Sequence, residues 1–225
     1  MNTRVAIVVG AGTGLGQASA QGLHKAGYTV VGVDRSQTGL RELPTDIRSE
    51  VADATDPDVA RPLLDRIVAE VGAPGVLVNT VGTYELGDAL SVTPQLLRQM
   101  TDVNLGAALW LTQAVVPHMQ EEGGVIVHVA ARPGIEPTAG MAAYAVTKAA
   151  LVHLVRTLAI ELSSSGIRVN AVAPQIIATA KNKAIFPAEM LAAAVEPGSI
   201  ADVITFLASD AAASVTGAVV PTYGK

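Results

Sequence analysis

Tyr144 and Lys148 stand four residues apart in the stretch VAARPGIEPTAGMAAYAVTKAAL, residues 129–151. A helix there would set the phenol and the ammonium on one face, one turn apart. Such a pair can move a proton, with the phenol giving or taking it. A unit of this kind usually needs a hydroxyl just upstream to hold the substrate. Here the upstream residues are Ala130, Ala131, Arg132 and Pro133, and none offers a neutral hydroxyl. Thr138 lies nearer Tyr144 in sequence, but on the loop, and would reach inward only if that loop folded unusually. Arg132 reads as a solvated loop cation; attraction of an anionic substrate is the alternative.

A second constellation lies near the N-terminus. GAGTGLG supplies Gly10, Thr13, Gly14, Leu15 and Gly16 between an apolar run and an expected helix. Small residues let a pyrophosphate approach the backbone, and a helix N-terminus favours its charge. Asp34 ends the next apolar run, 18 residues after Gly16. A carboxylate there can accept both hydroxyls of an adenosine ribose and would repel a 2′-phosphate. NAD(H) is therefore expected over NADP(H). Arg35 beside it could pair with that phosphate, but the acid holds the key position.

The elements that must position these residues alternate along the chain. Apolar, β-branched runs at residues 4–10, 29–34, 49–55, 75–79, 124–130, 167–173 and 217–222 read as strands. Helices are expected at 14–26, from Pro57 to about residue 71, from Pro94 to about 118, at 142–163, and from Ser199 through residue 207. Pro57 and Pro94 suit a first helical position, and Ser199 with Asp202 resembles a capping box. This alternation predicts an α/β fold: one Rossmann-type, doubly wound parallel sheet of about seven strands with helices on both faces. Residues 1–225 are expected to form a single domain, with a short substrate cap around 178–199. On such sheets ligands bind beyond the carboxyl ends of the strands, where these candidates fall.

Composition narrows the functional classes. The chain has 225 residues, 50% hydrophobic but only 3% aromatic, so the core must be aliphatic. The formal net charge of −5 provides no basic face, and no nucleic-acid partner is expected. There are no cysteines, which removes disulfides and thiolate chemistry, and the four histidines show no metal-ligand spacing. No metal site is expected. No apolar run reads as a membrane span and the N-terminus reads as a strand, so a cytoplasmic protein with no membrane partner is expected.

With these segments in order, the sequence resembles the short-chain dehydrogenase/reductase family over essentially its whole length. Gly10, Gly14 and Gly16 match its cofactor loop, although Val9 stands where Thr is usual. NTVG, residues 79–82, is similar to its Asn-Asn-Ala-Gly stretch, and VNAVAPQIIAT, residues 169–179, to the segment that closes over the nicotinamide. The resemblance implies that Tyr144 is the proton donor or acceptor, aided by Lys148, whose charge would lower the phenol's pKa. Lys148 would also hold the nicotinamide ribose, and Asn104 would position a proton-relaying water. Asp53 and Ala54 would flank the adenine. Asn79, Val81 and Gly82 would line the adenosine ribose, and Pro174, Ile177 and Thr179 the nicotinamide. The family's serine would fall at Ala131.

The expected function is NAD(H)-dependent hydride transfer to or from a small carbonyl, alcohol or conjugated C=N substrate. Local similarity of PTAGMAAYAVTKAA to dihydropteridine reductases motivates the last class. The alternative is a catalytically weak nucleotide-binding protein acting as a subunit or sensor. Phe186, Met190 and Leu191 could cover a small substrate. The apolar helices carrying Asn104 and Tyr144 imply a homodimer or homotetramer.

Overall fold

In the computed structural model, which describes residues 4–224, each apolar run pairs in parallel with its neighbours. β1 (Val5–Val9) leads through the glycine loop into α1 (Gly14–Lys25). β2 (Thr29–Asp34) leads into the one-turn α2 (Gln37–Leu40), and β3 (Arg48–Val51) into α3 (Pro57–Val71). β4 (Pro74–Asn79) precedes α4 (Pro94–Thr101), a π turn over Asp102–Gly106, and α5 (Ala107–Val115). β5 (Gly124–Val129) precedes α6 (Ala142–Glu161). β6 (Ile167–Pro174) precedes the short α7 (Ala180–Ile185) and α8 (Ala188–Leu191), then α9 (Pro197–Ala208); β7 (Val219–Thr222) follows.

The seven strands lie in the order β3-β2-β1-β4-β5-β6-β7. Strand order therefore reverses between β1 and β4, and a crevice opens beyond their carboxyl ends. Two aliphatic cores cover the sheet. Ile7, Val9, Leu77 and Ile126 face Leu64, Leu111 and Val155 of α3, α5 and α6. Ala6, Val8, Val76 and Val127 face Leu15, Leu23, Ile200 and Ile204 of α1 and α9. Every residue of β1 and β5 is buried, as strands covered on both faces require.

Local chemistry sets several boundaries. Asp56 and Thr93 cap α3 and α4 by accepting from the backbone N–H groups of Asp58 and Leu96. The third strand is shorter than its sequence suggests. Asp53 turns back to accept from the Thr55 amide and hydroxyl, which ends the extended run early. The expected capping box at Ser199 is not formed: α9 starts at Pro197 with Glu196 before it, so Ser199 lies within the first turn. The expected continuous helix to residue 118 is interrupted by the π turn that carries Asn104, and ends in a 3-10 turn. α6, with 20 residues and mean hydropathy 1.3, is long and apolar enough to cross a membrane, contrary to the sequence reading. Its buried side, with Leu151, Val155 and Leu158, covers the sheet.

Candidate active site

The crevice at the switch point is closed below by backbone bonds between strand ends. The N–H groups of Gly10 and Ala11 donate to the Val33 carbonyl at 2.8 and 3.0 Å, and Thr80 donates its N–H and its hydroxyl to the Val9 carbonyl at 2.9 Å. The glycine loop that follows has little room for side chains. Gly10 and Gly14 have φ of +88° and +53°, values that favour glycine. A Cβ on Gly16 would run into the Gly10 carbonyl, and one on Gly14 would meet Thr179 Cγ2 at 2.8 Å. Thr13 occupies the N-cap position of α1, is exposed, and makes no capping bond with its hydroxyl. That hydroxyl and the first amides of α1 stand available to an anion. Leu15 is buried beneath the loop.

Asp34 sits directly against this loop. Its Oδ2 accepts from the Gly12 amide at 2.9 Å and its Oδ1 from the Ser36 amide at 2.8 Å. Each carboxylate oxygen keeps a further acceptor site. A Cβ on Gly12 would come within 2.8 Å of Asp34 Cγ, so the glycine is what lets the carboxylate reach the loop. Arg35 is exposed. Asp53 is held below its ordinary carboxylate pKa, first by the Thr55 hydroxyl bond and also by attraction to Arg35. Ala54 is buried next to it.

The proton-transfer candidates meet at the other end of the crevice. Gly82 is the meeting point: a Cβ there would lie 3.2 Å from Lys148 Nζ and 3.3 Å from Asn104 Oδ1. Asn104 is buried. Its Oδ1 accepts from the Thr83 amide at 2.9 Å, and its Nδ2 donates to the Thr83 carbonyl at 3.0 Å and to Thr147 Oγ1 at 3.1 Å. It thus locks the loop after β4 to α6. Lys148 is 3% exposed and donates to the Val129 carbonyl at 2.8 Å. Burial of the ammonium pushes its pKa down to about 8. Behind it, His128 is fully buried, and burial, then Lys148, push its pKa down to about 4. Its ring nitrogens lie 3.4 Å from Asn79 Nδ2 and 3.4 Å from Thr112 Oγ1. Thr112 gives its own proton to the Ala108 carbonyl at 2.8 Å. Thr112 therefore accepts, and His128 is assigned as neutral with the proton on Nε2. Asn79 Oδ1 in turn accepts from the Val81 amide at 3.0 Å.

Tyr144 and Lys148 share one face of α6, as their spacing predicts, with Nζ 6.0 Å from the phenol ring centre. The expected lowering of the phenol pKa is not found. Burial, and secondly Tyr84, push Tyr144 above its ordinary value. Lys148 gives its hydrogen bond to the Val129 carbonyl and not to the phenol.

A cavity of about 690 Å³ opens over this pair. Gly82, Tyr144, Lys148, Pro174 and Ile177 line it, with Ala131, Arg132 and Thr138 on one wall. The glycine loop, Asp34, Arg35, Asp53, Ala54, Asn79, Val81, Asn104 and Thr179 are not on its walls. Thr138 is exposed and donates to the Glu136 carbonyl at 3.2 Å, so it does not fill in for a hydroxyl at Ala131. Arg132 is not simply solvated: it bonds Glu136 at 2.8 Å and Gln175 at 3.0 Å, and stacks over Tyr223 at 4.9 Å. The segment expected as a cap carries α7 and α8 and is zipped at its neck by backbone bonds between Ile176, Ala178 and Val195, each at 2.8 Å. Phe186 and Met190 line the cavity; Leu191 does not.

Sequence reasoning missed Tyr84. Its hydroxyl donates to Asn182 Oδ1 at 3.2 Å, and Asn182 Nδ2 is fixed on the Ile177 carbonyl at 2.9 Å. Its ring stacks on Phe186 at 6.1 Å and meets Tyr144 edge-on at 6.2 Å. Its place two residues beyond Gly82, in a chain with four tyrosines, was the available signal.

Residues 4–190 match the family model described as short chain dehydrogenase. The chain is 31% identical to 4-formylbenzenesulfonate dehydrogenase of Comamonas testosteroni, over 96% of this chain and 95% of the relative. It is 33% identical to cis-4-hydroxycyclohexanecarboxylate dehydrogenase of Sinomonas cyclohexanicum, over 98% and 95%. The solved structure of 3-ketoacyl-(acyl-carrier-protein) reductase from Brucella melitensis complexed with NADH superposes with a TM-score of 0.90 at 26% identity, covering 97% of this chain and 96% of that one.

Proposed function

The chain belongs to the short-chain dehydrogenase family, and on that premise we propose that it is an NAD(H)-dependent oxidoreductase acting on a small carbonyl, alcohol or conjugated C=N substrate. The family makes it an oxidoreductase with a nicotinamide cofactor; the choice of NAD(H) and the roles below are our reading. The observation that carries it is the convergence of Tyr144, Lys148 and Gly82 on one cavity at the switch point.

The unfilled features fit a dinucleotide. Thr13 is an N-cap hydroxyl without a capping partner, and the absence of a Cβ at Gly12 lets the Asp34 carboxylate lie against the loop. Thr13, Gly14 and Gly16 would hold the pyrophosphate. Asp34 would accept the adenosine ribose hydroxyls beside Arg35, and Asp53 and Ala54 would flank the adenine. Asn79, Val81 and Gly82 would line the backbone side of the cofactor, and Pro174, Ile177 and Thr179 the nicotinamide side. A bound nicotinamide supplies or accepts a hydride at its C4.

The chain's own residues handle everything else. In the reductive direction Tyr144 gives its phenolic proton to the substrate oxygen or nitrogen as the hydride reaches the adjacent carbon; in the oxidative direction it takes that proton back. Lys148, a buried cation, would hold the nicotinamide ribose and, with that cofactor bound, would favour the phenolate. Asn104 fixes the Thr83 backbone and so the wall facing Tyr144. Proton transfer by a positioned group contributes about 10²–10⁴ in rate.

At Ala131 we place the position where family members carry serine, so the usual hydroxyl is replaced by a methyl. This favours a second reading, a nucleotide-binding protein with weak catalysis, such as a subunit or sensor. Measuring NADH and NADPH binding together with turnover on ketones, aldehydes, quinones and quinonoid dihydropterin separates the two. NADH binding with turnover supports the oxidoreductase; tight NADH binding with none on the whole panel supports the second reading. We also propose a homodimer or homotetramer through α4, α5 and α6, whose Leu97, Val146 and Ile160 are 41%, 57% and 79% exposed. A monomeric mass at micromolar concentration would contradict it.

A further inference from the structure

We infer that this cavity selects an uncharged, ring-bearing substrate, and that Glu136 sets the selection by neutralising Arg132. The inference rests on the oxidoreductase reading of the same site and names its substrate class.

Charge is the first argument. Among the residues lining the cavity, the charged ones are Arg132, Glu136 and Lys148. Lys148 gives its proton to the Val129 carbonyl deep in the floor. Arg132 Nε and Glu136 Oε2 are 2.8 Å apart. Arg132 Nη1 donates to Gln175 at 3.0 Å and the guanidinium stacks over the Tyr223 ring, while the side chain stays partly exposed. An anionic substrate would find its obvious cation already paired and would face the Glu136 carboxylate as well. Lys181 belongs to α7, but lies over the Tyr84 ring at 5.6 Å and off the cavity wall.

Apolar surface is the second argument. The chain carries Phe 2, Trp 1 and Tyr 4, yet Tyr84, Tyr144 and Phe186 all line this one cavity. Around the mouth, Leu86, Ile185 and Met190 are 56%, 55% and 44% exposed and belong to the same lining. Exposed aliphatic side chains gathered at one opening mark a surface that a ligand covers. Preorganised aromatic edges, with Tyr84 held by Asn182 and Phe186, suit a flat or cyclic partner. Two relatives are named for substrates with a ring and an anionic group, a sulfonate and a carboxylate. Such a ring suits the aromatic lining, whereas its anionic group would meet an Arg132 already paired with Glu136.

The test pairs isosteric probes at low salt, where charge effects are unscreened. Calorimetry with NADH present measures benzamide and benzoate binding to the wild type and to Glu136→Gln. The same proteins are assayed on benzaldehyde and 4-carboxybenzaldehyde. Benzamide should bind more tightly than benzoate in the wild type, and kcat/KM should favour benzaldehyde. In Glu136→Gln the released Arg132 should shift both ratios toward the anion by about fivefold, the scale of one unit-charge contact in water. Tighter benzoate binding to the wild type, equal ratios in the two proteins, or no binding of benzamide would overturn the inference. Selective benzamide binding without turnover of either aldehyde would instead count against the oxidoreductase reading while supporting the selection.

Discussion

The Lys148 ammonium lies 6.0 Å from the centre of the Tyr144 ring and gives its hydrogen bond to the Val129 carbonyl at 2.8 Å. Burial holds the lysine at about 8 and raises the phenol. Bound NAD⁺ would add positive charge and give Lys148 new partners. The Tyr144 ionisation, followed by ultraviolet difference absorbance, should move to lower pH when NAD⁺ binds. Tyr144→Phe should erase that signal and cut turnover by about 10²–10⁴ while NADH still binds. An ionisation unmoved by NAD⁺ would refute the coupling.

Asp34 touches the glycine loop through the Gly12 amide at 2.9 Å, which is where we propose that the cofactor's adenosine ribose lies. Asp34→Ala should weaken NADH binding by about 10–100-fold, the scale of charged hydrogen bonds. NADPH binding should weaken less or improve, because the repulsion of a 2′-phosphate is gone. Fluorescence titration of both nucleotides reads this directly, and parallel losses for the two would defeat the assignment.

Ala131 is 4% exposed and lies on the cavity wall. A serine there would add one donor to the site. Ala131→Ser should raise kcat on simple ketones by up to about 10², the range for one oxyanion donor. Unchanged ketone turnover, with good activity on another substrate class, would show that the site is built for that other class.

Tyr84→Phe keeps the ring on Phe186 but removes the 3.2 Å bond to Asn182. The cap should loosen, with KM rising about threefold to tenfold for a net hydrogen bond of roughly 1 kcal/mol. Tyr84→Ala, which also removes the aromatic wall, should raise KM further. Steady-state kinetics decide it; a Phe variant with lower kcat and unchanged KM would point to proton chemistry at Tyr84 instead.

His128 links stability to pH. Its folded pKa, about 4, lies below the unfolded value of about 6.5. Above the unfolded value the ring is neutral in both states and pH has no effect through it. Between the two values the unfolded chain binds the proton and the folded one does not, so stability falls as pH drops. Below about 4 both are protonated and the slope ends. Thermal melts between pH 7 and 4.5 should show Tm falling, and His128→Gln should flatten the profile. Identical profiles would remove His128 from the account.

Much of the fold was legible because buried parallel strands leave an unmistakable apolar trace. Residues 5–9 and 124–129 are buried on both faces, and no other arrangement satisfies such runs so simply. β3 was harder: alternate residues are exposed at this sheet edge, and an Asx turn at Asp53 cuts it short. The π turn at Asn104 leaves no trace in apolar periodicity, since the widened turn answers to bonds from another segment, Thr83. Two of the partners of Arg132, Gln175 and Tyr223, are far along the chain and leave no local signal; Glu136, four residues on, does.

The sequence by itself determined the alternation of strands and helices, the glycine loop, the Asp34 carboxylate and the one-turn spacing of Tyr144 and Lys148. These depend on periodicity and on neighbours along the chain. Tertiary structure alone decided that Lys148 faces Val129, that Arg132 meets Gln175 and Tyr223, and that Tyr84 stacks on Phe186. Those outcomes depend on burial and on contacts between distant segments, which set charge and pKa through the surroundings of a group and not through its place in the chain.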